Sequence, residues 1–121
     1  MNITVIIENS FEIAAVFSEE VLITDVQSAL DFFATIAYET GCDRMILPKS
    51  AFCEDFFDLS TKVAGEILQK FVNYRKKLAI IGDFSGYTSK SLKAFIYECN
   101  RGNDIFFCAS QTDAVQRLSR N

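Results

Sequence analysis

Ala64-Gly65-Glu66-Ile67-Leu68-Gln69-Lys70-Phe71-Val72-Asn73-Tyr74-Arg75, then Lys76-Lys77, then Leu78-Ala79-Ile80-Ile81 is the stretch from which the fold is read. Ala64, Ile67, Leu68, Phe71 and Val72 recur at spacings of three and four, the stripe of a helix with one face in a core. Leu78-Ala79-Ile80-Ile81 is wholly apolar, as in a strand covered on both sides. Upstream, Arg44-Met45-Ile46-Leu47 reads as another strand, ended by Pro48, which cannot donate to a central ladder. Lys49 to Thr61 is one long irregular segment. Downstream, Gly82 to Thr88 makes a loop. Leu92, Phe95, Ile96 and Cys99 mark a helix that stops near Gly102, and Ile105-Phe106-Phe107-Cys108 is the last strand. Ser110-Gln111-Thr112-Asp113 resembles a capping box opening a short helix, with Ala114, Val115 and Leu118 inward.

The N-terminal third completes the pattern. Ile3-Thr4-Val5-Ile6-Ile7 and Phe11 to Phe17 read as strands, and the short Glu8-Asn9-Ser10 link makes them an antiparallel hairpin. Val21-Leu22-Ile23 adds a short strand or leads into the first helix. Thr24-Asp25-Val26-Gln27 has the spacing of a capping box with Thr24 at the cap. Val26, Ala29, Leu30, Phe33 and Ala37 then form an apolar stripe, widened by Phe32 and Ile36, and Gly41 supplies a left-handed stop. Alternating strands and helices imply a mostly parallel sheet flanked by helices. The expectation is a single α/β domain over residues 1–121.

Composition narrows the function. The 121 residues include no His, so neither a Ser-His-Asp couple nor His-ligated zinc is available. A net charge of −4 argues against nucleic acid, whose phosphates call for a basic face. Apolar runs are far shorter than a membrane helix requires, and the N-terminus lacks the basic n-region of a signal peptide, so no membrane association and a cytoplasmic location are expected. Cys42, Cys53, Cys99 and Cys108 share no short spacing; they read as reduced, structural thiols rather than a zinc or redox centre.

Leu22 to Asp31, Tyr38 to Arg44, Glu54-Asp55-Phe56-Phe57-Asp58-Leu59, Ala64 to Arg75 and Gly82-Asp83-Phe84-Ser85 together carry a resemblance to an uncharacterised bacterial family, the domain of unknown function numbered 4180. The order of elements is also similar to that of STAS domains, the fold of the anti-sigma-factor antagonists. Those carry an Asp-Ser-Ser-Gly motif with a phosphorylated Ser before their second helix. Phe56-Phe57-Asp58-Leu59-Ser60-Thr61-Lys62-Val63 occupies that place here, with Leu59 interrupting the motif and Lys62 standing where the Gly would be. The resemblance implies a STAS-like architecture and marks Ser60 and Thr61 as the equivalents of the phosphosite.

Ligands of open α/β sheets bind at the carboxyl ends of the strands. Three segments are expected to gather there: Pro48 to Thr61, Gly82 to Ser89 and Ala109 to Thr112. They offer Asp55, Asp58, Ser60, Thr61, Asp83, Ser85 and Ser89 as polar groups, several near helix N-termini that favour anions. Capping of the second helix already explains the residue types at Asp58, Ser60 and Thr61, with phosphorylation or ligand contact as the alternative. Gly82 to Ser91 lacks the register of a P-loop and reads as a turn and cap. Asp55, Asp58 and Asp83 have no spacing that fixes a metal, and no cofactor is expected. The aromatics Phe52, Phe56, Phe57, Phe84 and Tyr87 either anchor the loops or form an apolar patch for a protein partner or a second copy, as a homodimer. With no nucleophile–base constellation, a non-catalytic interaction or regulatory domain is expected. The alternative is a small-ligand or phosphometabolite binder using helix amides near Ser60 and Ser89.

Overall fold

A computed structural model describes residues 1–120. Strands β1 (Asn2–Glu8) and β2 (Phe11–Phe17) pair antiparallel through the two-residue turn Asn9-Ser10, both at positive φ (52° and 70°), the backbone of a type I′ hairpin. β3 (Arg44–Pro48), β4 (Lys77–Ile81) and β5 (Ile105–Cys108) add in parallel, giving one five-stranded sheet of order β1-β2-β3-β4-β5. The connections are α1 (Val26–Thr40), α2 (Val63–Asn73) and α3 (Lys90–Arg101), and α4 (Gln111–Leu118) is the last element among the described residues.

Period-2 alternation divides the sheet into two faces. Ala14, Val16, Met45, Leu47, Leu78, Ile80, Ile105 and Phe107 join the core under α1 and α2, with Phe95, Ile96 and Cys99 of α3 against the same cluster. Ile13, Ile46, Ala79, Phe106 and Cys108 face the opposite way, onto Ala114 and Leu118 of α4. Phe33 of α1 meets Phe71 of α2 edge to face at 5.3 Å, which locks the two helices together. The alternating α/β architecture expected from the sequence is therefore present, with the hairpin at one side.

Several local readings change. The cap of α1 is Asp25, not Thr24: Asp25 accepts from the Ser28 N–H, and the Ser28 hydroxyl accepts from the Asp25 N–H. Gln27 instead donates to Asp31. Ala37 is exposed, because the buried arc centres on Ala29, Phe32, Phe33 and Ile36. Gly41 does end the helix in the left-handed region (φ 73°). Ile23 forms a lone parallel bridge to Phe52 rather than a strand. The irregular segment is a run of three 3-10 turns, Lys49–Ala51, Glu54–Phe57 and Leu59–Thr61. Sequential strand order also means that the parallel sheet has no point where its winding reverses, the usual source of a ligand crevice. Any site at this rim must be built by loops.

All four cysteines are free. Burial pushes the Cys99 thiol up to about 11, aided by the negative charge of Glu98, and burial also raises Cys108. Both are protonated packing groups at neutral pH.

Candidate functional site

The loops build a cleft of about 720 Å³ at the carboxyl ends of β3 and β4. Pro48 and Ile81, which pair across these strands, form its floor. The first two 3-10 turns supply Lys49, Ser50, Glu54 and Phe57, with Phe52 between them; Asp58 follows, and Tyr87 comes from the loop after β4. Phe57 and Tyr87 stack at 5.6 Å and 19°, joining two loops thirty residues apart in sequence. Phe52 and Phe56 are buried, with centroids 4.5 Å apart, and tie the 3-10 run to the core. Phe84 lies between Tyr87 and the β5 residue Phe107, at 6.4 and 5.3 Å.

Lys49 is the organising cation, and sequence reading passed over it. Its ammonium sits 4.5 Å from the Tyr87 centroid, 5.7 Å from Phe84 and 5.9 Å from Phe57, and donates to the Asp83 carbonyl at 3.1 Å. Ring faces attract such a charge. Its stem runs over Gly82, where a Cβ would meet the Lys49 Cβ at 2.8 Å. The one signal available was position: a lone Lys directly after the Pro that ends a central strand.

The expected polar groups do reach this rim, but most are engaged in turns. Asp58 accepts from the Ser60 hydroxyl at 2.6 Å and N–H at 3.1 Å. Asp83 repeats the arrangement with Ser85, at 2.6 and 2.9 Å. In each case the serine hydroxyl first, then the backbone N–H, holds the carboxyl below its ordinary value. The Thr61 hydroxyl donates to the carbonyls of Asp55 and Asp58. Ser89 caps α3 by accepting from the Leu92 N–H.

Three expectations need correction. Asp58 caps the last 3-10 turn rather than α2, which begins after Lys62 in the left-handed region (φ 66°). Phe56 offers no surface, being 1% exposed, because its ring fills the core under the 3-10 run. The Ala109 to Thr112 segment does not line the cleft; its Gln111 lines a separate hollow of about 390 Å³ behind Pro48 and Ile81. Among the described residues, no cluster of three His, Cys, Asp or Glu side chains is placed to hold a metal ion. No helix among them is long and apolar enough to cross a membrane. Lys76 and Lys77 of the short basic run pair with Asp43 and Asp104.

The cleft therefore presents stacked aromatic faces, one ammonium and two carboxylates, Glu54 and Asp58. Residues 8–118 match the family model described as Domain of unknown function (DUF4180). Neither a curated protein nor a solved structure matches the chain.

Proposed function

The chain belongs to the DUF4180 family, and on that premise we propose that it is a non-catalytic, STAS-like bacterial interaction domain, acting in the cytoplasm, whose loop-built cleft docks an apolar or aromatic side chain of a protein partner. The observation that carries this reading is the half-exposed Phe57–Tyr87 stack roofing an apolar floor. Aromatic surfaces with a charged rim are the usual anchors of protein interfaces. The hydroxyls that a phosphosite or an anion site would use are already bonded within their own turns. Four free thiols suit a reducing compartment. The sheet's sequential winding after an opening hairpin supports the STAS-like comparison.

Selection of peptides from a random display library, counter-selected on Tyr87→Ala, tests the proposal. Peptides with an apolar or aromatic anchor should bind the wild type and lose at least about tenfold in affinity on Tyr87→Ala, the loss expected of an interface anchor. Saturable binding that ignores Tyr87→Ala, or no binder at all, overturns it.

The cleft volume supports a second reading, since about 300–1,000 Å³ is the range of small-molecule sites. Glu54 and Asp58 oppose a phosphate there, so the ligand would be largely apolar. A thermal-shift series with aromatic carboxylates, nucleotides and inorganic phosphate separates these cases. No shift at millimolar concentration removes the small-ligand reading.

A further inference from the structure

The two outer strands of the sheet are treated differently. Against β5, the Asn100 side chain accepts from the Phe107 N–H at 2.7 Å and donates to the Phe107 carbonyl at 3.3 Å. One amide side chain thus bonds both backbone groups of a residue, as a neighbouring strand would. β1 has no such cover. It is seven residues long and paired without a bulge, and it contains neither Lys nor Pro, the devices that usually protect an edge.

Which groups β1 leaves open follows from the hairpin. In a two-residue turn the flanking pair, Glu8 and Phe11, exchanges hydrogen bonds. The alternation of an antiparallel ladder then turns the N–H and C=O groups of Asn2, Thr4, Ile6 and Glu8 toward β2. Those of Ile3, Val5 and Ile7 point out of the sheet, and no turn, loop or cap hydrogen bond among the described residues reaches them. The side chains of these three residues share the face that carries α1, where Val5 is 43% and Ile7 68% exposed.

We propose that two copies of the chain pair antiparallel along β1, in a register centred on Val5, continuing the sheet across a two-fold axis. Ile3 then faces Ile7 of the second copy, Val5 faces Val5, and Ile7 faces Ile3. All three are hydrogen-bonded pairs, so the six open backbone groups are matched by six others. The same register lines up six aliphatic side chains on one face. Charge agrees with it: Glu8, the one charged residue of β1, faces Asn2 of the second copy, and no like charges meet. A foreign strand could use the backbone, but only a second copy of this strand completes both the aliphatic row and the charge pattern. This surface is separate from the cleft, and self-association here leaves the cleft's proposed partner unaffected.

Sedimentation of the full chain over a range of concentrations should show a mass rising toward twice the 13.6 kDa of one chain. Val5→Lys sets two ammonium groups opposite each other and should weaken association at least about tenfold, whereas Tyr87→Ala should associate like the wild type. Cysteine placement tests the register independently of any folding defect. Val5→Cys puts two Cα atoms about 5.5 Å apart across the axis, within disulfide reach. Ile7→Cys leaves its two copies about 13 Å apart along the strands. Under diamide, Val5→Cys should therefore cross-link above the wild-type background, and Ile7→Cys should not. A single-chain mass at every concentration, association undiminished by Val5→Lys, or Ile7→Cys cross-linking as readily as Val5→Cys would each overturn the proposal.

Discussion

Strands β5 and β1 lie at opposite ends of one sheet and are both rich in large apolar residues, yet nearly everything around them differs. All four residues of β5 are buried, with Phe106 toward α4 and Phe107 toward Phe84 and Phe95. Arg117 lies over the Phe106 ring at 4.6 Å and donates to the Asn100 carbonyl. On β1 only Ile3 and Ile6 are partly covered. The same kind of side chain is core at one end and surface at the other. Helix coverage decides the difference, because the three crossover helices follow β2, β3 and β4 and nothing crosses over from β1.

The contrast is testable from its strongest element downward. Phe107→Ala should cost about 3–5 kcal/mol of unfolding free energy in urea, as expected for a buried ring with three aromatic or helical neighbours. A loss below 1 kcal/mol would mean that the β5 side is looser than its burial implies. Asn100→Ala should cost about 1–3 kcal/mol, because the Phe107 N–H and carbonyl lose a partner in a half-buried site. Its thermal unfolding should also become less reversible as the β5 edge opens. Ile7→Thr, measured in dilute solution, should stay within about 0.5 kcal/mol of the wild type. A cost rivalling that of Asn100→Ala would erase the distinction between the two edges.

The smallest effect is electrostatic. The carboxyl of Asp83 titrates below its ordinary value near 3.8, held first by the Ser85 hydroxyl and then by its N–H. A depressed folded pKa contributes stability above the unfolded value and loses it as pH falls through the folded one. Acidification below about 3.8 should therefore loosen this turn and shift the ring resonances of the adjacent Phe84 in NMR spectra. Asp83→Asn should flatten that response. An unchanged titration of Phe84 in the variant would show that the turn is not its cause.

The order of elements was legible because continuous apolar runs, a period of 3.6 and Gly41 are local signals. So was the gathering of Phe57, Asp58, Phe84 and Tyr87 at one rim, which follows from parallel strands alone. The cap of α1 falls one residue past the Thr24 that spacing favours: Thr24 and Asp25 are both good caps, the Ser28 hydroxyl accepts from the N–H of each, and it is the Asp25 carboxylate that takes the Ser28 N–H. The 3-10 turns were hidden: their left-handed exit falls on Lys62 rather than on Gly. Lys49 and Asn100 act on residues 34 and seven positions away, through contacts that no local pattern encodes.

Gly82 gives the cleft an unexpected stiffness. Its N–H is bonded to the Cys108 carbonyl, so the backbone beneath the Lys49 stem belongs mechanically to the sheet and not to the loop above it. A side chain at position 82 would stand 2.8 Å from the Lys49 Cβ. The bare glycine is thus the space through which the lysine stem passes on its way to the Tyr87 ring.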